Sequence, residues 1–265
     1  MRPNREKSIA FVWQNIVSES QSILEREPVL KHFLQDAVLD HSTMAQGLGH
    51  HLVAKLCHSG LPKAQLKTLV DDALSDQQIV YSASRDIQAT LDRDSACNAY
   101  STPFLYFKGY LAVQAYRIAH ALWHSGNKTT ALLLQHSIST KFGVDIHPAA
   151  VIGSGVLMDH GTGIVIGETA VVDDCVSIMQ SVTLGGTGKQ GGDRHPKIRK
   201  GVLLGPGAKI LGNIEVGAGA MVAASSVVLE SVPAKAIVAG VPATVVGESQ
   251  TKEPSKAMNH YFQPC

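Results

Sequence analysis

Aromatic side chains are absent from a long stretch of this sequence. The chain of 265 residues contains 6 Phe, 2 Trp and 6 Tyr, but none of them lies between residues 143 and 260. Glycine is distributed in the opposite way, because 5 of the 24 glycines precede residue 143 and the other 19 follow from Gly143 onward. Two segments that pack differently therefore meet near residue 140, which predicts a domain boundary there.

An excess of charge of either sign is also absent. Lys and Arg total 23, and Asp and Glu total 22, which gives a formal net charge of +1. Contacts with a phosphate backbone or with an anionic membrane surface call for a basic surplus. We therefore expect no nucleic acid partner and no membrane partner.

Paired cysteines and long apolar runs are missing as well. The 4 cysteines form no C-x-x-C pair, which disfavours a disulfide framework and a Cys-rich zinc site. No run of about 18 uncharged apolar residues occurs, and the first residues, MRPNREKSIAFVWQNIV, lack the apolar stretch of a secretory signal. We expect a soluble protein of the reducing cytoplasm.

The first segment shows the periodicity of helices. Ile9, Val12, Trp13, Ile16 and Val17 share one helical face. The same kind of spacing predicts further helices at residues 28–38, 62–74, 103–124 and 128–139.

The second segment carries a six-residue repeat. An aliphatic residue recurs at every sixth position in three successive phases, which predicts a parallel β-helix with three short strands in each coil and the aliphatic side chains inside. A coil this narrow has no room for aromatic rings, which explains their absence. The predicted inward positions are Ile146, Ile152, Met158, Ile164, Ile166, Val172, Ile178, Leu184, Leu204, Ile210, Val216, Val222 and Val228.

The repeat is interrupted twice, and extra residues must leave the surface of the coil at such places. The first interruption is a two-residue slip between Met158 and Ile166. The second is a long insertion, GGTGKQGGDRHPKIRKG, which follows Leu184 and ends before the phase returns at Leu204. We expect this Gly-rich, basic loop to project from the side of the coil.

His160 stands in the first interruption, directly after Asp159 and before a glycine. A neutral imidazole near pH 7 is the usual general base for a hydroxyl nucleophile, and a carboxylate on its far nitrogen fixes the tautomer. Asp145 is a candidate for that carboxylate. From these residues alone, His160 could have either a structural or a catalytic role. His147 and His195 could each be a metal ligand, a substrate contact or a surface group.

Longer motifs resemble a known family. The stretches DIHPAAVIGSGVLMDHGTGIVIGETAVV and VSIMQSVTLGGTGKQGGDRHPKIRKGVLLGPGAKILGNIEVGAGA are similar to the serine O-acetyltransferase family, and so is LDRDSACNAYSTPFLYFKGYLAVQAYRIAHALW in the helical half. The resemblance covers most of residues 90–245. It implies an enzyme that transfers acetyl from acetyl-CoA to the hydroxyl of L-serine, giving O-acetyl-L-serine for cysteine biosynthesis, with no metal.

Composition and resemblance together imply an architecture and an assembly. The expected fold is α+β, with an α-helical domain over residues 1–140, a left-handed parallel β-helix of hexapeptide repeats over residues 141–247 and a flexible tail over residues 248–265. By resemblance, trimers form through the β-helix with active sites between neighbouring coils. Pairs of trimers then join through the helical halves to give a hexamer.

The resemblance also implies roles for the residues that act on serine. His160 removes the proton of the serine hydroxyl, with Asp145 orienting the imidazole. Because serine is a zwitterion, its ammonium calls for an anion and its carboxylate for a cation. Residues that match the family at these positions are Asp94 and Asp159 for the ammonium, and Arg194 and His195 for the carboxylate. Without the family, Asp94 could equally cap a helix and Arg194 could be a solvated loop charge.

Coenzyme A is expected along the outside of the coils. Backbone N–H groups of the Gly185–Gly186 loop are the expected donors to the tetrahedral oxyanion. The family usually presents alanine where this chain has Pro206, which has no N–H to donate. The residues expected at or near coenzyme A are Gly185, Gly186, Thr187, Pro206 and Ala224.

Other functions share the same repeat. A sugar O- or N-acetyltransferase is the nearest alternative. In a trimeric β-helical carbonic anhydrase, three histidines from two chains hold zinc, and His147, His160 and His195 would have to take that part. A non-catalytic scaffold is a third alternative, since a repeat domain alone is only an architecture.

The family implies two further ligands. L-Cysteine resembles L-serine in shape and is expected to act as a feedback inhibitor that competes for the same charged groups. Family tails that end in isoleucine commonly insert into O-acetylserine sulfhydrylase, but this chain ends in Pro264 and Cys265. Cysteine forfeits about two buried methylene equivalents, or about 1.5 kcal/mol, so we expect that complex to be weak or absent.

Overall fold

The computed structural model describes residues 5–188 and 191–261. The first part is helical, and among the described residues no helix is long and apolar enough to cross a membrane. The helices are Arg5–Arg26 (α1), Lys31–Leu34 (α2), Met44–Leu56 (α3), Lys63–Leu74 (α4), Gln77–Arg93 (α5), Ser101–Tyr106 (α6), Lys108–His124 (α7) and Lys128–Phe142 (α8).

Two predicted helices are less regular than expected. Residues 28–38 form a 3-10 turn (Pro28–Leu30), the short α2 and a π turn (Gln35–Leu39). Residues 103–124 are divided at Phe107, whose backbone is extended (φ −79°, ψ 106°). The break directs α7 against the coil, so closely that a Cβ atom on Gly109 would lie 2.1 Å from the carbonyl oxygen of Met158.

The second part is a parallel β-helix with three faces, as predicted. Sheet 1 has the order β1-β4-β7-β10-β13, sheet 2 has β11-β8-β5-β2, and sheet 3 has β15-β14-β12-β9-β6-β3. The strands are Val144–Ile146 (β1), Val151–Ile152 (β2), Leu157–Met158 (β3), Ile164–Ile166 (β4), Val171–Val172 (β5), Ser177–Ile178 (β6), Thr183–Gly185 (β7), Lys197–Ile198 (β8), Leu203–Leu204 (β9), Lys209–Leu211 (β10), Glu215–Val216 (β11), Met221–Val222 (β12), Val227–Val228 (β13), Ala236–Gly240 (β14) and Ala243–Glu248 (β15).

The aliphatic repeat fills the inside of the coil. All of the predicted inward residues are buried, and none is more than 8% exposed. The inserted loop is shorter than predicted, because β8 pairs with β5 and β11 and Ile198 is fully buried. Ile198 stands six residues before Leu204, so the third phase of the repeat begins one strand earlier than expected.

A buried ion pair joins the helices to the coil. Asp86 on α5 contacts Arg117 on α7, with 2.7 Å between Oδ2 and Nη2. The other carboxylate oxygen of Asp86 accepts a hydrogen bond from the backbone N–H of Val156 at 2.9 Å. Arg117 in turn donates to the carbonyl oxygens of Ile152 and Gly153. Helices and coil also share one continuous apolar core.

The helices end at Phe142 and the strands begin at Val144, which is close to the boundary expected from composition. The division of the chain into domains stays a prediction.

The segment after β15 carries more structure than its sequence pattern predicts. Pro254–Ala257 forms a short helix (α9), and the carbonyl oxygen of Ser255 accepts a hydrogen bond from Ser177 Oγ at 2.8 Å. Backbone and side-chain hydrogen bonds thus tie α9 to the coil, and the flexibility expected of residues 248–265 stays a prediction. The last residues, including Pro264 and Cys265, lie outside the described residues.

Candidate active site

The catalytic histidine predicted from the sequence lies at an exposed corner of the coil. The corner between β3 and β4 is named the His160 corner here. His160 has a left-handed backbone (φ 56°), and its side chain is 70% exposed. Its Nε2 atom lies 3.7 Å from Oδ2 of Asp159. The slip in the repeat thus presents an imidazole to solvent with a carboxylate beside it.

Asp94 and His260 approach the same corner from other parts of the chain. Asp94 follows α5, and its Oδ1 atom accepts a hydrogen bond from Ala96 N at 2.9 Å. Burial raises the pKa of Asp159, the nearby Asp94 carboxylate raises it further, and His160 and His260 act in the opposite direction. A pair of neighbouring carboxylates is therefore assembled, as a site for an ammonium group requires.

Sequence reasoning missed His260. Burial lowers the pKa of His260, and the charge of Asp159 opposes that effect. His260 lies 100 residues from His160, in a segment without a repeat. Its proximity to Asp159 is therefore seen only in the folded chain, where the segment after α9 returns to the His160 corner.

Asp145 does not contact His160 within this chain. It lies on β1, and its Oδ1 atom accepts a hydrogen bond from Gln135 Nε2 at 2.7 Å. Among the residues described here, Asp159 is the acidic residue whose carboxylate lies within 4 Å of the His160 imidazole. The orienting role of Asp145 stays a prediction.

A second group of predicted residues lies at the corner between sheet 1 and sheet 2, named the His195 corner here. Arg194 donates from Nη2 to Oε2 of Glu168 at 2.7 Å. The backbone N–H groups of Arg194 and His195 both donate to Thr169 Oγ1, at 3.0 and 3.1 Å. Sequence reasoning missed Glu168 and Thr169, because nothing in the repeat marks them as neighbours of a loop more than 20 residues later.

The histidine of this corner is held in its neutral form. Burial lowers the pKa of His195, and the positive charge of Arg194 lowers it further, whereas Glu168 acts in the opposite direction. The hydrogen bond from Arg194 in turn lowers the pKa of the half-buried Glu168. Arg194 therefore supplies the positive charge at this corner, and His195 supplies a neutral ring that donates or accepts a hydrogen bond.

The residues predicted for coenzyme A are divided between the two corners. Gly185 ends β7 on the side of the His195 corner, and its carbonyl oxygen accepts a hydrogen bond from Gly212 N at 2.9 Å. A Cβ atom on Gly212 would lie 3.2 Å from the methyl group of Thr187, and one on Gly186 would lie 3.6 Å from the carbonyl oxygen of Arg194. Because these glycines have no side chain, the backbone segments of this corner can lie close together.

Pro206 and Ala224 lie instead on the side of the His160 corner, one coil apart. A Cβ atom on Gly205 would lie 2.7 Å from the backbone nitrogen of Ala224. The carbonyl oxygen of Pro206 accepts a hydrogen bond from Ser225 N at 2.7 Å. Ala224 is exposed, so its surface is open to a ligand along the outside of the coil.

The width of sheet 1 separates the two corners. Over residues 5–188 and 191–261, no hydrogen bond or ion pair joins the Asp94–Asp159–His160 group to the Arg194–His195 group. In that same part of the chain, no group of three or more His, Cys, Asp or Glu side chains is placed to hold a metal ion. Within one chain, His160 lies at a different corner from His147 and His195.

Family models match both halves of the chain. The serine acetyltransferase N-terminal model matches residues 12–115, and the bacterial transferase hexapeptide model matches residues 195–230. The serine acetyltransferase of Escherichia coli K12 is 50% identical over 257 residues, which are 97% of this chain and 94% of that protein. The chain belongs to the serine acetyltransferase family. Membership confirms the resemblance seen in the sequence and makes the chain an acyltransferase enzyme.

Solved structures of family members agree over nearly the whole chain. A serine acetyltransferase in complex with cysteine has a TM-score of 0.94 at 49% identity, over 96% of this chain and 99% of that one. The soybean serine acetyltransferase in complex with serine has a TM-score of 0.88 at 49% identity, over 90% and 99%. The Brucella abortus enzyme in complex with coenzyme A has a TM-score of 0.88 at 47% identity, over 90% and 96%.

Proposed function

We propose that this member of the serine acetyltransferase family transfers the acetyl group of acetyl-CoA to the hydroxyl of L-serine, giving O-acetyl-L-serine for cysteine biosynthesis. The observation that carries the proposal is the exposed His160 imidazole beside a pair of carboxylates, Asp159 and Asp94. A base next to an ammonium site is what an amino acid with a hydroxyl nucleophile requires. The known complexes of relatives with serine and with coenzyme A support both substrates.

The proposed reaction is a direct transfer. The neutral His160 imidazole takes the proton of the serine hydroxyl as its oxygen attacks the thioester carbonyl carbon. The tetrahedral intermediate carries an oxyanion, which backbone N–H groups of the Gly185–Gly186 loop stabilise. Its collapse breaks the carbon–sulfur bond, and the imidazolium returns the proton to the departing coenzyme A thiolate. No acyl-enzyme forms, so no cysteine serves as a nucleophile.

The proposed serine clamp needs both corners. Asp94 and Asp159 face the ammonium group, and Arg194 with the neutral His195 faces the carboxylate. Since the width of sheet 1 separates these groups within one chain, the His195 corner of a second copy completes the site beside the His160 corner. This supports a homotrimer that assembles through the coils. Pairing of trimers through the helices, to give a hexamer, is a proposal from the family resemblance.

For coenzyme A, the proposed path follows the outside of the coils. Ala224 and the carbonyl oxygen of Pro206 line it on one corner, and Gly186 and Thr187 line it on the other. Pro206 has no N–H, so it can contribute only a carbonyl and van der Waals contacts at a point where most relatives offer a donor.

Two further proposals rest on the sequence and family alone. A cytoplasmic location agrees with the lack of any C-x-x-C pair in the sequence. A weak or absent complex with O-acetylserine sulfhydrylase rests on Cys265, which lies outside the described residues.

An acceptor panel tests the proposed function. Purified protein is mixed with acetyl-CoA and one acceptor at a time, namely L-serine, D-serine, L-threonine, a hexosamine or a hexose. Release of the coenzyme A thiol is followed together with the mass of the acetylated product. We expect rapid release with L-serine and a product of the mass of O-acetylserine. Faster turnover with a sugar would replace the proposal with the sugar acetyltransferase alternative.

L-Cysteine is expected to compete with L-serine, because it offers the same ammonium and carboxylate groups. Replacing Arg194 with alanine removes the cation at the carboxylate end and should raise the inhibition constant of cysteine by about tenfold or more. The matched control is Arg199→Ala, because Arg199 is also ion-paired, with Glu215 and Asp173, but lies outside both corners. Inhibition that does not depend on serine concentration would point to a separate cysteine site.

A small substitution should displace His195. A Cβ atom on Gly167 would lie 2.1 Å from two atoms of the His195 ring, so Gly167→Ala must push the imidazole away from the corner. We expect KM for serine to rise by about tenfold. Gly188→Ala is the control, because its Cβ would have nothing within 4 Å. Unchanged serine kinetics in Gly167→Ala would contradict the proposed role of His195.

A further inference from the structure

The third corner of the coil, between sheet 2 and sheet 3, carries a buried thiol that the proposed reaction does not use. Cys175 follows β5 in a left-handed backbone conformation (φ 60°), and its N–H donates to the carbonyl oxygen of Ser154 at 3.0 Å. The thiol lies in the wall of a cavity of about 320 Å³ between α5, the coil and α9. A volume of that size suits a small molecule.

The cavity around Cys175 is rich in positive charge. Three cationic side chains, Arg85, Arg93 and Lys256, line it together with one carboxylate, Asp92. Lys256 is also ion-paired with Glu253 at the rim. The Arg85 guanidinium forms no hydrogen bond or ion pair with any residue in the described part of the chain, so its charge is available to a ligand.

Arg93 is a buried cation that points to the same place. It is only 8% exposed, and its Nη1 atom donates to Ser177 Oγ at 3.0 Å. Its Nε atom has no hydrogen-bond partner among the residues described. Burial lowers the pKa of Arg93, and the adjacent Cys175 side chain opposes that effect. A buried cation with an unpartnered N–H therefore lies in the wall of the same cavity as the thiol.

A glycine keeps the space between the sulfur and Arg85 open. The Sγ atom of Cys175 and the Nη2 atom of Arg85 each lie 3.6 Å from the position that a Cβ atom on Gly155 would occupy. The two groups thus flank one point, and any larger residue there would fill the gap between them. A ligand with a negative group can rest on Arg85 while another of its atoms reaches the thiol.

We propose that Cys175 is a site of thiol modification by small anionic disulfides, such as a disulfide that carries carboxylate groups. Arg85, Arg93 and Lys256 bind the negative groups. The Cys175 thiolate then attacks one sulfur of the disulfide, the sulfur–sulfur bond breaks, and a mixed disulfide forms as the other half leaves as a thiolate. The thiol proton passes to solvent. The thiolate form of the side chain is the nucleophile in this exchange.

Two disulfides of opposite charge test the proposal. The folded enzyme is treated with 5,5′-dithiobis(2-nitrobenzoate), a dianion, or with cystamine, a dication, and modification of Cys175 is followed by peptide mass spectrometry. Each rate is divided by the rate of the same reagent with 2-mercaptoethanol, a thiol without a charged group, which removes intrinsic reactivity. We expect the dianion to be favoured at Cys175 by about tenfold or more. Arg85→Gln together with Lys256→Gln should reduce that preference by at least about fivefold.

Matched variants separate recognition from general reactivity. Arg199→Gln removes an arginine of the same corner that does not line the cavity, and it should leave the preference unchanged. Cys175→Ser should lose the modified peptide, while modification elsewhere in the chain continues. Thermal unfolding of each variant establishes that the enzyme stays folded. Absence of Cys175 modification in the folded enzyme would overturn the proposal. So would equal normalised rates for the two reagents, or a preference that survives the loss of Arg85 and Lys256.

Discussion

Replacing His160 with alanine is expected to lower kcat by about 10²–10⁴-fold. The imidazole is the group that takes the serine proton, and the adjacent Asp159 is needed as an anion for the ammonium. Because His160 is exposed and packs against little, the loss of its ring should not disturb the coil. The measurement is steady-state release of coenzyme A with serine, paired with the oligomer size of the variant.

Backbone conformation suggests a second variant of the same residue. His160 has a positive φ of 56°, which asparagine tolerates better than most residues. His160→Asn should therefore lose activity, and its backbone should be less strained at this position than that of His160→Ala. The control is His136→Ala, because His136 is an exposed histidine on α8. Near wild-type turnover in either His160 variant would refute the general-base assignment. Asp145→Asn should have a smaller effect, since orientation is lost and the base is retained.

Removal of Asp86 is expected to destabilise the protein by about 3–5 kcal/mol. The carboxylate is 1% exposed and pairs with the buried guanidinium of Arg117. It also accepts hydrogen bonds from Gln114 Nε2 and Val156 N. Asp86→Ala leaves a buried positive charge and a buried N–H without partners, at the place where the helices meet the coil. Thermal unfolding should show the midpoint lowered by about 10 °C or more.

The double variant Asp86→Ala/Arg117→Met sharpens this test. It removes the unpaired charge and keeps an apolar side chain in the space, so it should be less destabilised than Asp86→Ala alone. Asp72→Ala, at an exposed position of α4, is the control and should change the midpoint little. A double variant less stable than Asp86→Ala would mean that Arg117 contributes chiefly through its own contacts with the coil.

The six-residue repeat of aliphatic residues was enough to predict the parallel β-helix. A six-residue period has one physical solution when the inner side chains are aliphatic, because each must reach the narrow interior. The prediction was wrong at the end of the inserted loop, where the six-residue pattern is interrupted. Ile198 resumes the phase after the loop, but a single aliphatic residue next to Pro196-Lys197 carries no periodic signal by itself.

Contacts between distant parts of the chain could not be predicted in the same way. The sequence indicates His160 and His195 as functional candidates, yet nothing in it says that they lie at different corners. That separation depends on the number of strands between them. Likewise, the approach of His260 to Asp159 depends on where the chain runs after α9, and the cations around Cys175 depend on how both α5 and α9 pack on the coil. Family resemblance gave roles for residues, but the position of each residue came from the fold.

The central claim is that the His160 corner of one chain and the His195 corner of another act on the same serine. Complementation between two inactive variants tests it most directly. His160→Ala and His195→Ala chains are each purified, unfolded together at equal concentration, refolded and assayed with serine and acetyl-CoA.

If the corners belong to different chains of a ring, a site is intact only where a chain with His160 meets a chain with His195. Random mixing then restores about one quarter of the wild-type activity per site, because each of the two conditions is met half of the time. Refolding of each variant alone gives the background rate, and refolded wild-type protein gives the full value. A mixture no more active than the two variants alone would contradict the shared site and place both histidines in one chain.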